Sequence, residues 1–246
     1  MIKQGGIPIA GNAVFAWGVF VMPGKAEPLW KQEWTLASPV GKIESSRTGP
    51  ARTKAQERRL PGQKEKQMIY YKDEKLEIRT MEDADGSVFV EEFTAQGWHP
   101  DIVGYQMRMK DQAEGKCIAL TAVYQERPAG YVYLYRTVRE GPFRGKGWPI
   151  IVDFSVLEKY QRKGIGSRLM DVAEQIASQY ADTVCLGVGL HDGYGSAQRM
   201  YVKRGYIPDG SGVWYQDQPC IQYETVCTVD DDLILYMSKK LLSSRE

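Results

Sequence analysis

The chain has 246 residues, 43% of them apolar and 26% charged, with a formal net charge of +1. That composition belongs to an ordinary globular protein and excludes a global electrostatic pull toward nucleic acid or an anionic membrane. Four cysteines with no C-x-x-C pair, and only two histidines, His99 and His191, argue against a zinc centre and against a disulfide scaffold.

Residues 1–67 differ in texture from the rest. The apolar run Ile7 to Met22 is too short, and too interrupted by glycine, proline and asparagine, to read as a membrane-spanning helix. No small-x-small cleavage site follows it, so the expected compartment is the cytoplasm and no membrane partner is expected. From Gly41 to Gln67 large apolar residues nearly vanish while lysine and arginine accumulate. Such a stretch cannot offset its ordering entropy by burial and reads as a flexible basic linker, with nucleic-acid binding its less favoured use. The expected division is an N-terminal extension over 1–67 and one folded domain over 68–246.

Regular patterning then begins. Lys75 to Thr80 alternates as a short strand, and Glu82 to Gln96 and Asp101 to Glu114 read as helices broken at Gly97-Trp98-His99-Pro100. Cys117 to Gln125 and Gly130 to Arg139 read as strands of a hairpin turning at Glu126-Arg127-Pro128-Ala129. Trp148 to Leu157 is an apolar strand, and Gly164 to Tyr180 an amphipathic helix. Thr183 to Leu190 is a buried strand, Ala197 to Arg204 a short helix, and Leu233 to Met237 the final strand. The order β-α-α-β-β-β-α-β-α-β-β predicts an α/β (α+β) fold, a mixed sheet covered by helices.

The stretch Gln161-Arg162-Lys163-Gly164-Ile165-Gly166-Ser167 carries the chemistry. A buried strand runs into a glycine-containing loop that opens a helix. Backbone N–H groups at a helix start lack intrahelical partners, and the helix dipole adds positive character, so such a loop suits a pyrophosphate. Gly164 and Gly166 let the backbone approach phosphates closely, and Arg162 and Lys163 add charge at the rim. The dinucleotide fingerprint fails because residue 169 is Leu169, and no G-x-x-x-x-G-K-[ST] occurs.

The same residues resemble the acyl-CoA signature Q/R-x-x-G-x-G/A of the GNAT acetyltransferase superfamily. Ala197-Gln198-Arg199-Met200-Tyr201-Val202-Lys203-Arg204-Gly205-Tyr206 is similar to the family's second motif. The resemblance implies a mostly antiparallel sheet of about seven strands flanked by helices, splayed in a V between the strands at 148–157 and 183–190. It implies acetyl-CoA in that gap as co-substrate, with backbone groups of Phe154 and Val156 pairing with its pantetheine arm. Residues Gln161, Arg162, Lys163, Gly164, Ile165, Gly166 and Ser167 would then hold the pyrophosphate. Tyr201 matches the family's general acid, which protonates the departing thiolate. The family's asparagine seven residues earlier is replaced by Tyr194, which leaves the loop before Tyr201 unusual. Ser196 in that loop reads as a helix N-cap and as a candidate CoA contact.

For the general base, the strand offers Asp153, whose charge in an apolar run calls for a partner or a purpose, and His99 is the other candidate. In this family the acceptor pocket is built by the loop between the first two helices and the loop before the last strand. Here these contain Trp98 and His99, and Trp214, Asp231 and Asp232. Aromatic walls with carboxylates suit an organic cation, so the expected acceptor is a small-molecule amine. Acetylation of a protein N-terminus or lysine is the second reading, and an idle acyl-CoA sensor the third. A second copy of the chain is a candidate partner, giving a homodimer.

Overall fold

The computed structural model describes residues 67–241. The N-terminal extension expected over 1–67, with its apolar run and basic linker, lies outside the described residues apart from Gln67. Among the described residues nine strands form one sheet: β1 (Ile69–Lys72), β2 (Leu76–Thr80), β3 (Cys117–Tyr124), β4 (Arg127–Tyr135), β5 (Ile150–Val156), β6 (Thr183–Gly189), β7 (Ile207–Tyr215), β8 (Gln218–Pro219) and β9 (Leu233–Lys240). Their spatial order is β1-β2-β3-β4-β5-β6-β9-β7-β8, and every pairing is antiparallel except β5 with β6. Four α-helices among the described residues cover it: α1 (Asp83–Ala95), α2 (Ile102–Ala113), α3 (Ile165–Ser178) and α4 (Gly195–Lys203). Among the described residues, no helix is long and apolar enough to cross a membrane.

The helices start and stop where local chemistry dictates. Asp101 caps α2 by accepting the Val103 N–H at 2.9 Å, and Asp85 in the first turn of α1 accepts the Glu82 N–H at 2.9 Å. The hairpin between β3 and β4 turns at Gln125 and Glu126, one residue earlier than expected. Both take positive φ, 48° and 66°, as a two-residue turn matched to strand twist requires. Arg127 and Pro128 therefore belong to β4, and the strand ends at Tyr135 rather than Arg139. The sheet exceeds the expected seven strands because β1 and the two-residue β8 add edges.

Apolar side chains divide by face. On one face α3 and α4 cover Ile78, Leu120, Leu134, Ile151, Phe154, Leu186 and Val188. On the other, α1 and α2 bury Phe89, Phe93, Tyr105, Tyr133 and Leu157. A third cluster, Val138, Phe143, Cys185, Ile234 and Tyr236, fills the space beside β6 and β9. At about 25 cal/mol per Å², burial of this kind drives the fold.

Candidate active site

Strands β5 and β6 meet at only two residue pairs, Ile150 with Cys185 and Ile151 with Leu186. Beyond Ile151 strand β5 pairs only with β4, while β6 remains paired with β9 along its whole length. The two strands thus splay, and the sheet opens a gap beside Val152–Val156. Leu157 donates its N–H to Ala129 O at 2.9 Å, so by strand alternation the Val156 N–H points the other way, into the gap. The Val156 carbonyl already accepts the Gln161 side-chain amide at 3.1 Å, which fixes the start of the next loop.

That loop leads into α3. Gly164 takes φ +81°, a left-handed conformation that favours glycine, and Arg162 takes φ +57°. A Cβ on Gly166 would sit 3.0 Å from Phe154 Cζ, so the small residue lets α3 settle on the β5 ring. Among the described residues, no oxygen accepts the backbone N–H of Lys163, Gly164, Ile165, Gly166 or Ser167. The loop is exposed at Arg162, Lys163, Gly164 and Ser167. Free amides at a helix start, with two basic side chains beside them, fit a pyrophosphate.

Strand β5 carries one extra residue opposite β4. Tyr131 faces Ser155 and Tyr133 faces Val152, and Asp153 in the resulting bulge takes φ +49°. Its side chain, 8% exposed, turns toward α2, where Asp153 Oδ2 accepts Arg108 Nε at 2.8 Å and Nη2 at 2.6 Å. Arg108 Nη1 donates to Tyr135 Oη at 2.7 Å, and its guanidinium lies over the Tyr133 and Tyr135 rings. Asp153 Oδ1 is buried without a partner. Burial raises the Asp153 carboxyl to about 6, and the Arg108 charge offsets that only in part.

Tyr201 stands on α4, 0% exposed, packed against Tyr206 at 5.7 Å between ring centres. Its hydroxyl is buried with no partner, and burial raises its pKa well above that of a free phenol. Ser196, expected as the N-cap of this helix, lies inside it and is exposed. The turn Asp192–Tyr194 runs directly into the helix, so Tyr194 takes the cap position and His191 accepts the Gly193 N–H at 3.0 Å. Tyr194 donates to Asp231 Oδ1 at 3.0 Å, and His191 Nε2 lies 3.0 Å from the same oxygen. Gly189 leaves room for the Tyr194 ring, which a Cβ there would overlap.

The remaining expected residues fall into two groups. Trp98 stacks on Phe93 at 5.0 Å beside the α1–α2 cluster, and His99 next to it is exposed. Trp214 lies within β7 rather than a loop, bonded through Nε1 to Ser211 Oγ at 2.7 Å and packed edge-on to Tyr236. Asp232 is exposed beside Asp231. Among the described residues no hydrogen bond or ring contact joins His99 to Trp214 or Asp231. Sequence reasoning missed Arg108, which no local signal marks, since it meets Asp153 only when α2 folds onto β5.

The profile of the acetyltransferase (GNAT) family matches residues 78–206, more than half of the chain. No curated protein sequence matches it. Ard1 from Thermoplasma volcanium is a similar solved structure, 18% identical, covering 68% of this chain and 99% of its own, with a TM-score of 0.50. An acetyl transferase from Salmonella typhimurium, described as modifying the N-terminal serine of ribosomal protein L7/L12, is 10% identical. It covers 70% of this chain and 99% of its own at a TM-score of 0.53. RimL, a ribosomal L7/L12 alpha-N-protein acetyltransferase, is 11% identical over 74% of this chain and 98% of its own, with a TM-score of 0.54. At these identities the likeness carries the fold and no more. With the family profile spanning the splayed strands, the amide-lined loop and α4, the chain belongs to the GNAT family and is an N-acetyltransferase that takes acetyl-CoA as its co-substrate.

Proposed function

We propose that the acceptor is the primary amine of a small cationic molecule, which attacks the thioester of acetyl-CoA directly. The observation that carries this reading is the Asp153 carboxyl in the β5 bulge, buried beside the gap with one oxygen unpartnered. An incoming ammonium must lose a proton before its nitrogen bonds to the acetyl carbon. A carboxylate raised to about 6 accepts that proton and is still mostly ionised at neutral pH. As the carbon–sulfur bond breaks, Tyr201 donates its proton to the departing thiolate. The amides of Lys163 to Ser167 bind the pyrophosphate, with Arg162, Gln161 and the β5 backbone at Phe154 and Val156 along the arm. Trp98, Trp214 and Asp232 are assigned to the acceptor's far end, and Asp231 retains an oxygen not engaged by Tyr194 or His191. His99 is a weaker base, because no contact joins it to Asp153 or Tyr201 among the described residues.

Acetylation of a protein N-terminus is the second reading, favoured by the names of the structurally similar ribosomal-protein acetyltransferases. Release of CoA thiol from acetyl-CoA decides between them, with spermidine and an uncapped serine-initiated peptide offered in parallel. Turnover of spermidine, lost in Tyr201→Phe, is the expected result. Turnover of the peptide alone overturns the small-molecule assignment.

A further inference from the structure

The face of β5 that looks toward α1 and α2 holds a second orphaned group. Ser155 is 2% exposed, and its hydroxyl is buried with no hydrogen-bond partner. It pairs in register with Tyr131 across β4, and residues directly opposite on antiparallel strands share a face. Asp153, turned to Arg108 on α2, lies on that face too. Two buried oxygens, Asp153 Oδ1 and Ser155 Oγ, therefore sit two residues apart on one strand and one face with no hydrogen-bond partner. An unpartnered hydroxyl in an apolar surround costs free energy that alanine would not. The strand gains nothing from that hydroxyl unless a ligand uses it.

The walls around these oxygens are aromatic. Tyr131 packs against Phe89 at 4.9 Å, Tyr133 at 5.4 Å, Tyr105 at 5.5 Å and Phe93 at 6.1 Å between ring centres. Its hydroxyl contact with Tyr105 is long, 3.4 Å. Arg108 uses Nε and Nη2 on Asp153 and Nη1 on Tyr135, so it is committed to the protein. The groups this face leaves uncommitted are thus a carboxylate oxygen, a hydroxyl and ring surfaces. That set repels anions and matches a group with several N–H donors on one nitrogen.

We infer that Ser155 is a specificity-determining residue of this enzyme, which with Asp153 Oδ1 holds the primary ammonium head of the acceptor against the Tyr131 ring. The inference rests on the acetyl-transfer reading above and names the atoms that select its acceptor. A primary ammonium satisfies both oxygens. A tertiary ammonium has one N–H and satisfies one.

The test uses the full chain, n-butylamine as probe acceptor and N,N-dimethylbutylamine as competing inhibitor. In Ser155→Ala the KM for n-butylamine rises about tenfold, the order expected for losing one hydrogen bond to a charged group. The KM for acetyl-CoA stays unchanged, and the preference for the primary over the tertiary amine shrinks by a similar factor. Melting temperature does not fall, because the variant removes an orphaned hydroxyl; a purely structural serine would move in the opposite sense. A KM for n-butylamine within twofold of wild type in Ser155→Ala overturns the proposal. So does wild-type protein that binds acetyl-CoA but takes no n-butylamine up to about 50 mM, well above the millimolar range of a weak ligand. Protein that binds no acetyl-CoA at all defeats the acetyl-transfer reading itself, and calorimetry with acetyl-CoA alone tells the two failures apart.

Discussion

A carboxyl buried at the bend of a strand has two consequences of opposite sign. Burial raises Asp153 from its ordinary value to about 6, so the folded state favours its protonated form. The stability this contributes is present below about pH 4 and is lost as pH rises through about 6. The proposed reaction runs the other way, since only the ionised form takes a proton. Activity as kcat/KM is expected to climb about tenfold per pH unit below 6 and to level off above it. In Asp153→Asn that limb disappears and kcat/KM falls by about 10²- to 10⁴-fold, the range for losing a positioned base. A pH profile of both proteins checks this, and a limb that survives in the variant assigns the base elsewhere. Asp153 was legible in the sequence because an acid inside the run Trp148 to Leu157 needs a reason to be there. Its partner was not. Arg108 is 45 residues away, and only the packing of α2 on β5 brings them together. Ser155 carries no signal at all in one sequence, since a serine in a strand becomes notable only when its hydroxyl is seen to lack a partner.

The elements follow the same rule, with short-range chemistry legible and long-range fit hidden. The strand, loop and α3 sequence was read from glycine spacing and helical periodicity, and its bounds agree to within two residues. The edge strand β1 was missed because its four residues alternate weakly and half face solvent. Strand β7 had no boundaries in the sequence because Pro208, Gly210 and Gly212 break its pattern. The structure accommodates them by a register shift between Pro208 and Val213. The loop before α3 gives a clean test of backbone cost. A Cβ on Gly164 meets nothing within 4 Å, so the penalty of Gly164→Ala comes from φ +81° alone. That penalty is about 1 kcal/mol, and acetyl-CoA affinity falls with it as the loop leaves its amide-presenting shape. Gly189→Ala acts differently. Its new Cβ collides with the Tyr194 ring and loosens the Asp231 contact, so it costs about 1–3 kcal/mol through overpacking. Denaturant midpoints and acetyl-CoA titrations separate the two, and equal losses from both variants would contradict the distinction.

Across the whole molecule, the sheet is continuous in order but weakly joined at its centre. Strands β1 to β5 form one antiparallel half and β6, β9, β7 and β8 the other, with two parallel residue pairs between them. A backbone bond from Cys185 N–H to Pro149 O at 3.0 Å, the packing of Val138 and Phe143 against Cys185 and Tyr236, and the helices add coupling. Arg204 at the end of α4 pairs with Glu174 and Asp171 of α3, and Lys239 of β9 reaches the same Glu174. Tyr194 and His191 hold Asp231 of the segment before β9. A ligand lying along Val152–Val156 and seated on the α3 amides would occupy the space that β6 leaves, and would satisfy N–H groups on β5 and α3 together. Acetyl-CoA at about a hundred times its dissociation constant is therefore expected to add about 2.7 kcal/mol to the unfolding free energy. For a domain of this size that raises the melting temperature by about 5–10 °C. Hydrogen exchange locates the effect. Slowing at Val156 and at Lys163 to Ser167, with β7 and β8 unchanged, is the pattern of a ligand in the splay. Protection spread evenly over the sheet would instead mean general stabilisation without a seat there. No shift at saturation would leave the opened strands without the ligand that explains them.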